Sequence, residues 1–499
     1  MSLRSASIVG RGDYIDGEFL SLGGDAPERI EHRSPADLDD LIGEFYVDPS
    51  RAGLAVARAQ HALRAWRKST FDRRARLLEA YRDALKKRRE PIAVAISRAI
   101  GKPLWESRTE ADALVAKVDI SLRAAAEMAP REVEPGAFVR YRPIGVCAVL
   151  GPFNFPAHLA NGHIVPLLAA ANTVVFKPSE RAPQVGELMA ECFAEAGFDL
   201  GVVNVVQGGP TTAKALVNDP RVDGVMFTGS TEVGRSILRA SSEFAGRMLA
   251  LEMGGNNPAL VLADADLDYA CREIAFAAFV TAGQRCTAAR RVIVHRSVAD
   301  AVIERLAFAA RESVVGLPSS AETFLGPVIS ERARSEALEL AQGFERRSAC
   351  AAVVSLESKS VEGARGFYLR PGLYVAERDV ARELGGCEWF APLAFVEVCD
   401  DVDAMVARAN DTRFGLAASV FTADSALFRS VSDALDAGVI NWNRGTVGSS
   451  SKLPFGGVKD SGNHRAAGLH SFLYASDPVA ELHVPQPKGG ASAPGLRLP

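Results

Sequence analysis

Cys286 lies in a polar segment, Thr281-Ala282-Gly283-Gln284-Arg285-Cys286-Thr287, which follows a helical pattern that ends near Gly283. A thiol is a good nucleophile only as the thiolate, and its ordinary pKa is about 8.5. We expect the neighbouring Arg285 and the backbone amides of this turn to favour that anion. An isolated cysteine is more often buried and unreactive, so Cys286 becomes a candidate nucleophile only if residues of matching chemistry accompany it.

Glu252 offers such chemistry. It ends the apolar stretch Leu249-Ala250-Leu251 and precedes Gly254-Gly255. Burial at the end of a strand would raise the pKa of its carboxyl group and make it a base near neutral pH. Taken alone, a glutamate in such a place more often caps a helix or pairs with a cation.

Asn154, in Gly151-Pro152-Phe153-Asn154-Phe155-Pro156, follows an apolar stretch. Proteins of the α/β class bind ligands at the carboxyl ends of parallel strands. A side-chain amide in that position can donate a hydrogen bond to an oxyanion that develops during a reaction. Taken alone, the residue is better interpreted as a turn asparagine.

Two further strand ends suggest a nucleotide site. Lys177, Ser179 and Glu180 follow one apolar stretch, and an acid there can accept both ribose hydroxyls and repel a 2′-phosphate. The segment from Phe227 to Gly234, which contains Gly229 and Ser230, leads into a helix whose first amides can bind phosphate. Neither segment is a GxGxxG fingerprint, so each is a weak signal alone.

The elements that must position these residues are those of an α/β protein. Apolar strands are predicted at Val146–Leu150, Thr173–Phe176, Val202–Val206, Val225–Phe227, Met248–Leu251, Ala259–Leu262 and Arg291–Val294. Helical patterns separate them, at Gln184–Ala196, Leu267–Ala282 and Val298–Glu312. This alternation predicts parallel sheets covered by helices. Before it, Asp16-Gly17 predicts a hairpin turn, and residues 51–90 predict amphipathic helices.

Composition excludes several classes of protein. A chain of 499 residues predicts two or three domains. A net charge of −4 gives no reason to expect nucleic acid as a partner. No apolar run reaches the roughly 18 residues that a membrane span needs, and the N-terminus lacks the apolar stretch of a signal peptide. Seven cysteines without a CxxC pair argue against a disulfide framework or a metal site and for a reducing cytoplasm.

Together, these motifs resemble the aldehyde dehydrogenase superfamily. The resemblance extends from the hairpin at Ile15 to Pro454-Phe455-Gly456-Gly457-Val458-Lys459, and 34 residues separate Glu252 from Cys286, as suits the family. Each motif is weak alone, but their joint order and spacing are highly specific.

The resemblance implies a role for each matching residue. Cys286 is similar to the nucleophile, Glu252 to the general base, and Asn154 with the Cys286 N–H to the oxyanion hole. NAD is the implied cofactor, bound by Lys177, Ser179, Glu180, Phe227, Gly229, Ser230, Gly234, Glu388 and Phe390. The segment Glu388-Trp389-Phe390-Ala391-Pro392 departs from the family, which usually has Gly at Ala391, and we expect the added methyl group to shift that loop.

The implied fold is a Rossmann-type NAD domain, an α/β catalytic domain and a small β oligomerisation arm. The predicted boundaries are 1–123 and 143–253 for the NAD-binding domain, 254–445 for the catalytic domain, 124–142 and 466–484 for the arm, and 485–499 for a flexible tail. The implied reaction oxidises an aldehyde through a thiohemiacetal and a thioester on Cys286. Because relatives that pass the acyl group to coenzyme A or phosphate lack a base at Glu252, a free carboxylic acid is the expected product. The implied assembly is a homo-dimer or homo-tetramer.

Three segments resemble one branch of the family, the N-succinylglutamate 5-semialdehyde dehydrogenases of arginine catabolism. They are Pro156–His163, Gly283–Thr287 with Arg290-Arg291, and Ser461-Gly462-Asn463-His464-Arg465. Since that substrate carries carboxylates, its pocket should offer cations, and arginine suits carboxylates. The candidate substrate contacts are Phe155, Arg285, Thr287, Arg444 and His464. The chain departs from the branch after Arg465, where Ala466-Ala467-Gly468-Leu469-His470 replaces a proline and aromatics.

Three alternatives remain. The first is an NAD-dependent dehydrogenase of another carboxylated semialdehyde. The second is a catalytically silent structural or binding protein on the same fold, which we would expect to have lost Cys286, Glu252 or Asn154. The third is a cysteine hydrolase without a cofactor, against which Lys177 and Glu180 argue.

Overall fold

The computed structural model describes residues 3–22, 24–127, 129–347, 349–463, 467–487, 494–495 and 497. Within these ranges, no helix combines the length and the apolar character needed to cross a membrane.

The first part of the chain holds short strands, long helices and a further strand pair. The strands are β1 (Ile8–Val9), β2 (Asp13–Ile15), β3 (Glu18–Leu20), β4 (Glu28–Ser34), β5 (Asp37–Val47), β6 (Arg131–Glu134) and β7 (Ala137–Pro143). The helices are α1 (Arg51–Trp66), α2 (Phe71–Lys87), α3 (Arg89–Ile100) and α4 (Leu104–Ala126). Asp16 and Gly17 have φ of 56° and 86°, as a tight hairpin turn requires, and β2 pairs antiparallel with β3. The predicted hairpin is confirmed.

The next part forms a seven-stranded sheet with the hairpin. It contains β8 (Val146–Leu150), β9 (Thr173–Lys177), β10 (Val203–Val205), β11 (Gly224–Thr228), β12 (Met248–Glu252), α5 (His158–Ala169), α6 (Pro183–Ala196), α7 (Pro210–Asn218) and α8 (Thr231–Ser241). The strand order is β12-β11-β8-β9-β10-β2-β3, with β8 to β12 parallel. Strands β9 and β10 are added on one side of β8, and β11 and β12 on the other. Because the order of strands reverses between β8 and β11, the carboxyl ends of these two strands flank a crevice.

Both faces of this sheet are covered. Val146 and Ala148 of β8 pack with Ala55 of α1 on one face. The alternate residue Val149 packs with α2, α3 and α4 on the other, where Leu114 of α4 is fully buried. The period of two along β8 therefore directs its side chains into two separate cores.

A second seven-stranded sheet follows. Its region contains β13 (Asn257–Val261), β14 (Ala289–His295), β15 (Cys350–Val354), β16 (Glu357–Ser358), β17 (Leu369–Arg370), β18 (Gly372–Ala376), β19 (Leu393–Cys399), β20 (Phe414–Gly415), β21 (Ala417–Phe421) and β22 (Val439–Trp442). The helices are α9 (Leu267–Phe279), α10 (Ala299–Glu312), α11 (Glu331–Glu345), α12 (Arg378–Gly385), α13 (Val402–Asn410) and α14 (Ser425–Ala434). The order is β15-β18-β19-β14-β13-β21-β22, parallel except for β15. The predicted α/β class, with parallel sheets covered by helices, is confirmed.

One predicted helix is too long. The pattern predicts a helix over Leu267–Ala282, but α9 ends at Phe279, and a 3-10 turn, Val280–Gly283, follows it. Thr281 and Ala282 have φ of 60° and 52°, a left-handed conformation that no α-helix contains. The helix therefore ends before the segment that carries Cys286.

The last part contains β23 (Pro454–Phe455), β24 (Val458–Lys459), β25 (Ala467–Gly468), α15 (Ser471–Ala475) and β26 (Ser476–Leu482). Strand β26 pairs along its whole length with β7, and β7 pairs with β6, in a three-stranded antiparallel sheet. Except for Pro143 at the end of β7, these strands lie in the two segments predicted as an arm, 124–142 and 466–484. The domain boundaries, and the role of this sheet between subunits, stay predictions.

Candidate active site

A cleft of about 820 Å³ opens at the carboxyl ends of β8 and β11. Its volume lies within the range of roughly 300–1,000 Å³ that is usual for ligand and cofactor pockets. The sequence-predicted residues that line it are Asn154, Lys177, Ser179, Glu180, Phe227, Gly229, Ser230, Cys286, Glu388 and Phe390. Residues from separate motifs therefore share one cavity.

Cys286 follows the 3-10 turn, is partly buried and lines the cleft. Burial raises the pKa of its thiol to about 12, and the carboxylates of Glu388 and Glu252 act in the same direction. Arg290 and the backbone N–H of Thr287 act against this rise. The thiol is therefore protonated at neutral pH in this structure, and positive charge brought into the cleft would favour its ionisation.

Arg285 does not have the partner expected of it. Its Nη2 donates to Oε1 of Glu106 at 2.9 Å, and its Nε donates to Oγ1 of Thr281 at 2.7 Å. The guanidinium carbon lies 4.9 Å from the centre of the Phe155 ring. The cation that favours the Cys286 thiolate is Arg290, whereas the charge of Arg285 is balanced by a buried carboxylate.

Asn154 lies on the loop between β8 and α5 and is buried. Its Nδ2 donates to the carbonyl oxygen of Gln284 at 2.9 Å, two residues before Cys286. An amide nitrogen carries two N–H groups, so a second N–H is available to an oxyanion beside the cysteine.

Glu252 ends β12 and is buried. Among the described residues, neither carboxyl oxygen has a hydrogen-bond partner. Burial raises the pKa of this group well above its ordinary value, and the nearby backbone N–H of Ala467, whose geometry is not that of a hydrogen bond, opposes the rise only in part. Such a group is a proton acceptor only after it ionises, and it is then a strong base for a carboxylate.

Lys177 ends β9 and is buried, with its Nζ donating to the carbonyl oxygens of Pro178 at 2.8 Å and Gly208 at 2.7 Å. Oε2 of Glu180 lies 3.6 Å from the same Nζ, and the Glu180 side chain is 40% exposed. Burial lowers the pKa of Lys177, and Glu180 opposes that effect. The carboxylate of Glu180 is therefore partly exposed in the cleft and lies close to the buried cation of Lys177.

Helix α8 begins at the floor of the cleft. Ser230 caps it, with Oγ accepting from the N–H of Val233 at 3.4 Å. A Cβ at Gly234 would lie 2.3 Å from the sulfur of Met253, and one at Gly229 would lie 2.4 Å from the Phe227 ring. The two glycines allow this helix to start close to the sheet, and its first residues line the cleft, where the amides at a helix start can bind an anion.

Glu388 and Phe390 form the opposite wall. Oε1 of Glu388 accepts from the N–H of Gly255 at 2.9 Å, and Arg290 lies 3.7 Å away. Burial raises the pKa of Glu388, and Arg290 opposes this. Ala391, which follows Phe390, is buried in the core. Glu388 and Phe390 line the cleft with the additional methyl group of Ala391 present.

The candidate substrate contacts are more scattered. Of the described residues, Phe155, Arg285, Thr287 and Arg444 are not among those that line the cleft. Arg444 is exposed and donates to the carbonyl of Gly448 at 2.6 Å. His464 lies outside the described residues.

One charged cluster next to the site was not predicted from the sequence. Lys102, two residues before α4, and Glu106 and Glu110, in the first turns of α4, are buried. The spacing of four residues between Glu106 and Glu110 places them on one helix face, but the same spacing is common in exposed ion-pair rows. Only their burial against the catalytic loops distinguishes them, and spacing alone does not reveal burial.

Comparison with known proteins agrees with this geometry. The model of the aldehyde dehydrogenase family matches residues 23–477. The N-succinylglutamate 5-semialdehyde dehydrogenase 1 of Caulobacter vibrioides is 42% identical over 455 residues, which cover 90% of this chain and 95% of that protein.

Solved structures share the fold. The 1-pyrroline-5-carboxylate dehydrogenase from Thermus with bound NAD has a TM-score of 0.88 at 27% identity, covering 96% of this chain and 93% of that one. An NADP-dependent enzyme of E. coli has a TM-score of 0.87 at 29% identity, covering 94% and 97%.

Proposed function

Because the chain belongs to the aldehyde dehydrogenase family and is an aldehyde dehydrogenase, we propose that it oxidises N-succinylglutamate 5-semialdehyde with NAD. The observation that carries the proposal is the cleft in which Cys286 and Asn154 meet Lys177, Glu180 and Glu388. The substrate assignment is supported by the 42% identity to the Caulobacter vibrioides enzyme of that name. It is also supported by the three sequence segments that resemble this branch.

Cys286 is the proposed nucleophile. Its thiolate sulfur bonds to the aldehyde carbon, and the electron pair of the C=O bond moves to oxygen. The second N–H of Asn154 and the backbone N–H of Cys286 hold the resulting oxyanion. When bound, NAD would accept the hydride from the C–H bond of the former aldehyde carbon. The electron pair on the oxyanion then re-forms the C=O bond, and the acyl group remains on the sulfur of Cys286 as a thioester.

Glu252 is the proposed base for release of the acid. Its ionised carboxylate takes a proton from water, and the water oxygen bonds to the thioester carbon. The C–S bond then breaks, and the electron pair returns to the sulfur of Cys286. The buried position of Glu252, without a hydrogen-bond partner among the described residues, supports this role because it leaves the carboxyl free to hold a water.

NAD is proposed over NADP from the position of Glu180. A carboxylate at the end of β9 would accept hydrogen bonds from ribose hydroxyls and repel a 2′-phosphate. The crevice between β8 and β11 and the amides at the start of α8 suit the pyrophosphate. Glu388 and Phe390 are proposed to hold the nicotinamide ribose.

The assembly and the compartment are further proposals. The sheet of β6, β7 and β26 suits an arm that pairs subunits in a homo-dimer or homo-tetramer. The free cysteines at all seven positions suit a reducing cytoplasm.

The function is tested with purified protein, NAD and N-succinylglutamate 5-semialdehyde. We expect NADH absorbance at a rate that equals the rate at which N-succinylglutamate forms, by mass spectrometry. Cys286→Ala should abolish turnover and leave NAD binding intact, whereas Cys399→Ala, a buried cysteine of the second sheet, should retain turnover. Absence of NADH formation with any aldehyde would support a catalytically silent protein instead.

A further inference from the structure

A buried row of charges, Lys102 just before helix α4 and Glu106 and Glu110 in its first turns, lies against the two loops that carry the proposed catalytic groups. The side chains of Lys102, Glu106 and Glu110 are at most 1% exposed. Buried charges are costly unless they are paired and hydrogen-bonded. Their partners therefore indicate what this row does.

Glu110 contacts the loop that carries Asn154. Its Oε1 accepts from the backbone N–H groups of Ala157 at 3.1 Å and His158 at 3.2 Å, at the start of α5. The first N–H groups of a helix have no partner within the helix, and a carboxylate there also compensates the helix dipole. Glu110 thus fixes Ala157 and His158, where α5 begins, three and four residues after Asn154.

Glu106 contacts the loop that carries Cys286. Its Oε1 accepts from Oγ1 of Thr281 and from Nη2 of Arg285. Thr281, Ala282 and Gly283 are three consecutive residues with positive φ, and a conformation this unfavourable persists only where surrounding contacts impose it. Glu106 supplies such contacts at Thr281, the first of these three residues, and at Arg285, two residues after the last of them.

Lys102 lies between Glu106 and Glu110 and links their two sets of contacts. Its Nζ lies 2.8 Å from Oε2 of Glu110 and 4.0 Å from Oε1 of Glu106. The same Nζ lies 3.5 Å from the centre of the Phe155 ring, and Arg285 approaches that ring at 4.9 Å. Two cations, Lys102 and Arg285, thus contact the ring of Phe155, the neighbour of Asn154.

We propose that Glu106 and Glu110 are positioning residues that set the distance between Asn154 and Cys286, the two sides of the oxyanion hole. This rests on the proposed function of those two residues. Arg285 is then part of the positioning network, and its charge serves Glu106 rather than a substrate carboxylate. A misplacement of about 1 Å in such a site can cost roughly a hundredfold in rate.

The test uses acylation of Cys286 by 4-nitrophenyl acetate, followed by release of 4-nitrophenolate. This reaction needs the nucleophile and the oxyanion hole but neither aldehyde nor cofactor. In Glu106→Gln we expect acylation, and kcat for the aldehyde, to fall by about 10- to 100-fold, with KM little changed. In the double variant Glu106→Gln/Arg285→Met, which leaves no lone buried charge, we expect the melting temperature to recover and the acylation rate to stay low.

Asp40→Asn is the matched control. Asp40 forms a buried ion pair with Arg98 at 2.7 Å, between β5 and α3, so its loss should lower the melting temperature and leave acylation unchanged. Should Glu106→Gln not fold, Thr281→Val removes the hydrogen bond to Glu106 without stranding a charge, and it should slow acylation.

The outcomes separate the two proposals. A wild-type protein that is not acylated at Cys286 would overturn the proposed function of that residue. Normal acylation in a folded Glu106→Gln or Thr281→Val variant would overturn the positioning role alone, and so would acylation that recovers together with stability in the double variant. A raised KM in the double variant that is confined to carboxylated aldehydes would indicate that Arg285 binds a substrate carboxylate.

Discussion

Asn154 and Gln284 are joined by a hydrogen bond of 2.9 Å from the side-chain amide of the first to the carbonyl oxygen of the second. The bond connects the loop after β8, in the first sheet, to the loop before Cys286, beside the second. It holds one N–H of Asn154 and leaves the other for an oxyanion. The amide of Asn154 therefore links the two loops and can also donate a hydrogen bond in the proposed reaction.

Asn154→Ala should lower kcat by about 10²- to 10³-fold, the usual cost of removing one oxyanion-hole donor. NAD affinity should change little, because the other cleft residues remain. Asn204→Ala is the control, since Asn204 is buried in β10 and bonds to Gly201 and Asp16. It should lower the melting temperature without changing kcat. Equal kcat in wild type and Asn154→Ala would exclude the oxyanion role.

Alkylation of Cys286 should be slow and should rise steadily with pH. Since its pKa is raised to about 12, the thiolate fraction should increase about tenfold per unit from about pH 7 to pH 9.5. The measurement is the iodoacetamide rate for the Cys286 peptide by mass spectrometry, with the exposed Cys387 as the internal standard for reagent access. A rate that levels off before about pH 9 would contradict the raised pKa.

Glu252→Gln should stop the reaction after the thioester forms. Without a base, one equivalent of NADH per active site should appear rapidly, and steady turnover should fall by about 10²- to 10⁴-fold. In the wild type, hydrolysis should accelerate as pH rises toward the raised pKa of Glu252, because only the ionised form accepts a proton. The variant should lose that pH dependence. Unchanged steady turnover in Glu252→Gln would assign the base elsewhere.

Glu180→Gln should relax the preference for NAD. Removing a carboxylate that would face a 2′-phosphate should raise the ratio of kcat/KM for NADP to that for NAD by about tenfold or more. Glu191→Gln, in α6 and paired with Arg11 at 3.1 Å, is the control and should leave the ratio unchanged. A wild-type protein that uses NADP more efficiently than NAD would refute the argument from Glu180.

Much of the fold could be predicted because its signals are local. The Asp16-Gly17 turn needs two positive φ angles, which these residue types tolerate. Strand β8 was predicted with its observed bounds, since an apolar run between turn signals is a local pattern. The strand-end motifs then share one cleft because parallel strands direct their carboxyl ends to the same edge of a sheet.

The features that could not be predicted depend on contacts far apart in the sequence. Gly283 indicates that the helical pattern ends nearby, but nothing local to Thr281 and Ala282 predicts their left-handed conformation, and Glu106, which contacts Thr281, lies in another helix. Arg285 and Glu106 are 179 residues apart. The adjacency of Arg285 to Cys286 in the chain suggested an electrostatic role that the fold gives to Arg290.

The identity of the aldehyde is decided by comparing kcat/KM among aldehydes, with NAD as the cofactor. We predict that kcat/KM for N-succinylglutamate 5-semialdehyde exceeds kcat/KM for succinate semialdehyde and for simple aliphatic aldehydes by at least about tenfold. A higher kcat/KM for another carboxylated semialdehyde would assign the chain to that substrate. Equal or higher kcat/KM for an uncharged aliphatic aldehyde would exclude N-succinylglutamate 5-semialdehyde as the preferred substrate.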